Sequence, residues 1–62
     1  MNVEEYVSET LSALAEMGEP QPSVRDLAES IADIQMAQGL HPGKTFEQVV
    51  EELTPQVAYY LG

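Results

Sequence analysis

Three capping sequences divide this chain into segments that each begin like an α-helix. They lie at Asn2–Glu5, Ser23–Asp26 and Thr45–Gln48, where a side-chain acceptor is followed three positions later by an acidic or amide residue. At that spacing the first side chain accepts a hydrogen bond from a free N–H of the first helical turn. Apolar residues then recur every three or four positions, as on the buried face of a helix. The sequence therefore predicts an all-α fold, a small bundle of three main helices in a single domain over residues 1–62.

Glycine and proline indicate where these helices end. Gly18 and Gly39 follow the first two apolar stripes, at the position where a helix commonly ends in the left-handed conformation. Pro55 lies within the third segment, where it lacks an N–H donor and clashes with the carbonyl one turn earlier. We expect either a kink there or a short fourth helix capped by Thr54. The run 57–61 also has strand-like residues, but the chain offers no second strand to pair with it.

The apolar stripes also predict the hydrophobic core. In each segment they fall on one face at about 100° per residue. The predicted core consists of Val3, Tyr6, Val7, Leu11, Leu14, Met17, Val24, Leu27, Ile31, Ile34, Leu40, Phe46, Val49, Val50, Leu53, Val57, Tyr60 and Leu61. Because 62 residues without a cysteine form only a small core, we expect a marginally stable monomer or a homo-oligomer.

Charge restricts the functions open to this chain more than any motif does. The chain has eleven acidic residues but only two basic ones, Arg25 and Lys44, and its formal net charge is -9. Affinity for nucleic acids comes mainly from Lys and Arg that neutralise phosphates. We therefore expect no direct binding to nucleic acids or to anionic membranes. With no membrane-span pattern and no signal-peptide pattern, a cytoplasmic protein is expected.

The sequence indicates no catalytic, cofactor or metal site. Its one histidine, His41, lies in a loop of turn residues and is predicted to be solvated. It contains no glycine-rich phosphate loop, H-E-x-x-H pair or G-x-S-x-G elbow, and no cysteine to act as nucleophile or ligand. Adjacent acids such as Glu51 and Glu52 point about 100° apart on a helix and chelate poorly. We predict a protein that is not an enzyme and holds neither cofactor nor specific metal.

The surplus of acidic residues favours a basic protein surface as the partner. Glu5, Glu9 and Glu16 fall opposite the apolar stripe of the first helix, where they would steer association with a cationic surface. Met36 and Tyr59 lie off the stripes of their helices, and exposed Met and Tyr are enriched in interface cores. These five residues are the predicted partner-binding set. In composition the chain resembles small acidic inhibitors encoded by phages and mobile elements, which implies an inhibitor or nucleic-acid mimic acting on a nucleic-acid-binding protein.

Two other interpretations stay open. Acyl carrier proteins are small, acidic and helical and carry a modified serine at the start of their second helix, a place that Ser23 occupies here. The tripeptide 22–24 is Pro-Ser-Val rather than the Asp-Ser-Leu of that family, and Ser23 is also explained as a helix cap. The second interpretation is a self-associating structural protein without a charge-specific partner, whose acidic residues only keep it soluble.

Overall fold

The computed structural model describes residues 2–62, most of which lie in three helices. These are α1 (Val3–Met17), α2 (Val24–Ala37) and α3 (Phe46–Leu61). The all-α prediction is confirmed: no strand occurs in residues 2–62, and the run 57–61 is the end of α3. Within the same residues, none of the helices combines the length and apolar character that crossing a membrane requires.

Each helix begins at the cap predicted for it. The side-chain oxygens of Asn2, Ser23 and Thr45 accept hydrogen bonds from the backbone N–H three residues later, at 3.3, 3.0 and 3.2 Å. At α3 the arrangement is reciprocal, because the Thr45 N–H donates to Gln48 Oε1 at 2.9 Å. These bonds satisfy N–H groups that have no acceptor inside the helix, and each contributes about 1 kcal/mol.

The first two helices end through glycines in the left-handed conformation. Gly18 has a φ of 73° and Gly39 a φ of 75°. The N–H of Glu19, just beyond the first glycine, donates to the Leu14 carbonyl at 2.9 Å, and the equivalent bond beyond Gly39 is 3.1 Å long. Both ends are therefore Schellman motifs, in which the chain reverses while the last carbonyls stay hydrogen-bonded.

The third helix continues through Pro55. Thr54 does not cap a new helix, because its hydroxyl donates to the Val50 carbonyl at 2.7 Å within α3. Leu53 and Val57 are buried on either side of the proline and hold both halves of α3 against the core. The prediction of a short fourth helix is therefore wrong for the residues that the structure describes, and the kink stays a prediction.

The core lies mainly between α2 and α3. Nine apolar side chains are buried, of which α1 contributes one and the other two helices four each. They are Val7, Leu27, Ala28, Ile31, Ala32, Val49, Val50, Leu53 and Val57. All except Ala28 and Ala32 belong to the predicted core. These two small side chains lie on the buried face of α2.

Other side chains of the predicted core are less buried. Leu14 and Ile34 are half-buried. Six more are half-buried and pack against the core, namely Val3, Tyr6, Leu11, Val24, Phe46 and Leu61. The outer part of the predicted core is therefore a partly solvated rim rather than an interior.

Three predictions for the core are wrong. Met17, Leu40 and Tyr60 are 66%, 52% and 40% exposed. Met17 is the last residue of α1, whereas Tyr60, near the end of α3, lines a groove with α1 residues that lie between positions 4 and 12. The backbone N–H of Leu40 makes the hydrogen bond that ends α2, and this bond does not require the Leu40 side chain to be buried.

Candidate functional site

Glu5, Glu9 and Glu16 project from one side of α1. All three are exposed. At about 100° per residue they fall within about 40° of one another and roughly 180° from Val7, the buried residue of this helix. The structure therefore brings the three predicted acidic residues together on the face of α1 that points away from the core.

Both basic side chains are engaged in ion pairs with acidic residues of the other two helices. Arg25 Nε lies 3.1 Å from Glu29 Oε2, and its Nη2 lies 2.7 Å from Glu47 Oε1, which joins α2 to α3. The hydrogen bond to Glu29 and the negative charge of Glu47 raise the pKa of Arg25 above its ordinary value. Lys44 Nζ contacts the two carboxylate oxygens of Glu52 at 2.9 and 2.8 Å.

These ion pairs leave the negative charge unevenly distributed. Three of the eleven acidic residues pair with the two basic ones, so eight have no Lys or Arg partner among residues 2–62. The last turn of α1 also lacks a basic residue that would offset the negative end of the helix dipole. Most of the unpaired acidic residues lie in α1 or directly after it: Glu4, Glu5, Glu9, Glu16 and Glu19.

A shallow depression of about 240 Å³ lies on the acidic side of α1. It is lined by Asn2, Glu5, Tyr6 and Glu9. Two carboxylates and the ring of a half-buried tyrosine therefore border one concave surface. Such a surface provides acceptors for a cationic head group and an aromatic face on which its stem or guanidinium packs.

Met36, one of the five predicted partner-binding residues, is less exposed than predicted. Met36 was predicted to be exposed, but it is half-buried and packs against the core. The reason is that the buried face of α2 includes Ala32 and Gln35, which moves its centre toward Met36. Tyr59 is 78% exposed, as predicted, and its ring meets the Tyr60 ring edge-on with centroids 5.2 Å apart.

Gln35 and His41 form a polar pair that the sequence pattern did not indicate. Gln35 is only 7% exposed, and its Oε1 lies 2.6 Å from His41 Nε2. His41 is half-buried, so the prediction that it is solvated is wrong. The burial of Gln35 could have been predicted, because Gln35 follows the buried Ile31 by four positions and therefore lies on the same helix face. A buried amide requires a partner, and His41 lies just beyond the end of α2.

Ser23 is exposed at the start of α2, and its Oγ accepts from the Asp26 N–H at 3.0 Å. This bond accounts for the serine as a cap, and modification of Ser23 in a carrier role stays a prediction. Among residues 2–62, no three His, Asp or Glu side chains are grouped so that they could hold a metal ion.

Comparisons with known proteins assign no family to the chain. No protein-family model, no curated protein and no solved structure matches it. Its binding properties are therefore inferred from its own side chains, chiefly those of α1.

Proposed function

We propose that this protein is a non-enzymatic interaction protein whose α1 binds a basic surface on another protein. The observation that carries the proposal is the charge distribution. Both basic side chains are paired with acidic residues of α2 and α3, while five acidic residues in and after α1 have no Lys or Arg partner among residues 2–62. A cationic surface would relieve the repulsion among these carboxylates. Each new ion pair at 4 Å adds about 1 kcal/mol of attraction in bulk water, and more where the interface excludes water.

The depression beside Tyr6 supports arginine as a residue of that surface. Glu5 and Glu9 border the depression together with the tyrosine ring. A planar guanidinium binds carboxylates through two parallel hydrogen bonds and also stacks on aromatic rings, whereas an ammonium does neither as well. An arginine-rich patch on the partner therefore fits this side of α1 better than a lysine-rich patch.

An inhibitory form of this proposal has α1 occupy a cleft that otherwise holds nucleic acid. Glu4, Glu5, Glu9 and Glu16 span roughly 18 Å of helix, so neighbouring charges lie on average about 6 Å apart along the axis. One strand of DNA carries a phosphate about every 3.4 Å along its axis, and the duplex carries one about every 1.7 Å. The charges of α1 are more widely spaced than the phosphates of either form, and their spacing is closer to that of a single strand. Mimicry of a single strand in the cytoplasm is therefore favoured over mimicry of a duplex.

Two double reversals with equal net charge test this proposal. Glu9→Lys with Glu16→Lys changes α1, and Asp33→Lys with Glu51→Lys changes exposed, unpaired acidic residues of α2 and α3. Both variants move the formal net charge from -9 to -5, because each replaces two negative charges with two positive ones. Neither reversal in α1 opposes the helix dipole, since Glu16 lies in the last turn, where a cation is favourable.

The measurement is affinity capture of basic proteins from lysate at about 50 mM and about 500 mM salt. Wild-type protein and the α2–α3 variant should retain the same basic partner at low salt, and the α1 variant should lose it. High salt should release the partner from both. Equal loss in the two variants, or retention that does not respond to salt, would contradict the proposal.

A further inference from the structure

Side chains of α1 and of the last turn of α3 line a groove of about 460 Å³. They are Glu4, Val7, Ser8, Leu11, Ser12 and Tyr60. Val7 is buried and Leu11 is half-buried, so these two side chains form its apolar floor. Glu4 and the two serines are exposed. The groove therefore combines an apolar floor with a carboxylate, two hydroxyl groups and one aromatic ring.

Three features make this groove favourable for a cation. Glu4 has no Lys or Arg partner among residues 2–62. Tyr60 is 40% exposed, and the face of an aromatic ring attracts a cation. Tyr60 also lies in the last turn of α3, which contains no basic residue to offset the negative end of that helix dipole. A carboxylate, a ring and a helix end therefore favour positive charge at the same place.

The lining of the groove favours arginine over lysine. Its acceptors are Glu4, Ser8 and Ser12, which follow one another at intervals of four residues, or about 6 Å along α1. A guanidinium has five N–H donors in one plane, and that plane also stacks on aromatic rings. It can therefore donate to these acceptors and pack on Tyr60, while its methylene stem covers the apolar floor.

The groove and the depression beside Tyr6 lie on opposite flanks of α1. At about 100° per residue, Glu4 and Ser8 fall about 60° and 100° to one side of Val7. Tyr6 falls about 100° to the other side. The three acidic residues described above project between the two flanks, away from the core. Helix α1 is therefore a ridge with acceptors and a tyrosine ring on each side.

We propose that the groove binds an arginine side chain of the basic partner, so that the partner contacts α1 from both flanks. The basic surface is then a cleft at least about 10 Å wide, the diameter of a helix with its side chains, and has basic residues on both walls. A flat basic surface would meet only the outer face of α1. This inference rests on the proposed function and specifies the shape and chemistry of the partner.

The test is an NMR titration of the full chain with the capped tripeptide acetyl-Gly-Arg-Gly-amide at about 50 mM salt. The methyl signals of Leu11 report on the groove, and the ring signals of Tyr6 report on the depression. Two matched peptides carry lysine or citrulline in place of arginine. Citrulline is nearly the same shape as arginine but has no charge.

Three variants of the chain are titrated beside the wild type. Glu4→Gln and Glu51→Gln each remove one negative charge, so both change the formal net charge from -9 to -8. Glu51 is exposed on α3 and does not line the groove, which makes Glu51→Gln the matched control. Tyr60→Leu keeps an apolar side chain but removes the ring. Tyr60 lies outside the core, so this substitution tests binding without unfolding the chain.

The arginine peptide should shift the signals of both Leu11 and Tyr6, and the citrulline peptide should shift neither. At the groove, the lysine peptide should bind about threefold more weakly than the arginine peptide. Glu4→Gln should weaken the arginine peptide there about fivefold, the loss expected for one ion pair in bulk water, and Glu51→Gln should not. Tyr60→Leu should remove the preference for arginine over lysine.

Several results would overturn the groove as an arginine site. If only the Tyr6 signals shift, the proposed function stands with contacts on one flank of α1. Equal weakening by Glu4→Gln and Glu51→Gln would show that net charge alone matters. Equal binding of the arginine peptide and either matched peptide would refute recognition of the guanidinium. If the arginine peptide shifts neither set of signals at low salt, the proposed function itself is contradicted.

Discussion

The side chain of Gln35 is buried against the core and bonded to His41, with 2.6 Å between Gln35 Oε1 and His41 Nε2. Because the amide has left water, this bond matters more for stability than its modest net strength suggests. His41→Ala should lower the free energy of unfolding by about 1–3 kcal/mol, the cost of leaving a buried polar group without a partner. Urea denaturation followed by circular dichroism measures this change.

The control is the same substitution in a background where the amide is absent. In Gln35→Leu the buried polar group is gone, so His41→Ala should cost far less there than in the wild type. The difference between the two costs is the coupling energy of the pair. An equal cost in both backgrounds would show that His41 stabilises the fold through something other than Gln35.

Local stability should differ between the helices, because α1 buries only Val7 whereas α2 and α3 each bury four apolar side chains. Few buried contacts leave a helix at the low-stability end of native-state fluctuations. Amide hydrogen exchange should therefore be faster in residues 3–17 than in residues 24–37 and 46–61. Val7→Ala should increase exchange in α1 more than in α3, and uniform protection across the three helices would contradict this account.

Pro55 should be a source of instability in α3. It lies inside the helix, exposed to solvent, and cannot donate to the carbonyl one turn earlier. Pro55→Ala restores that donor and should raise the free energy of unfolding, by up to about 3 kcal/mol on host–guest scales. The thermal midpoint reports the effect. A decrease on this substitution would mean that the proline geometry is needed for α3 to fit the core.

Salt should stabilise the isolated protein. Eight acidic residues without a Lys or Arg partner repel one another, while only three exposed ion pairs are weakened by screening. The melting temperature should therefore rise with salt. Arg25→Gln should enlarge that rise, because it removes two attractive contacts and leaves Glu29 and Glu47 unpaired. A melting temperature that falls with salt would show that the ion pairs outweigh the repulsion.

The helix boundaries and the three acidic residues of α1 were predictable from sequence because they depend on residues within one or two helical turns. The caps at Asn2, Ser23 and Thr45 act over three residues, and the turn at Gly18 over about five. Likewise, the positions of the acidic residues opposite Val7 follow from the helical repeat alone.

Burial was determined by the tertiary structure, because it depends on which neighbour lies beside a side chain and how far that neighbour extends. Met17 and Tyr60 are both exposed, Met17 beyond the α1 residues that line a groove with Tyr60, and no local pattern encodes that relative position. Met36 is half-buried for a related reason, since the buried face of α2 includes Ala32 and Gln35 and so extends toward Met36. Interactions within a helix are local in sequence, whereas the packing of one helix on another joins residues far apart in the chain.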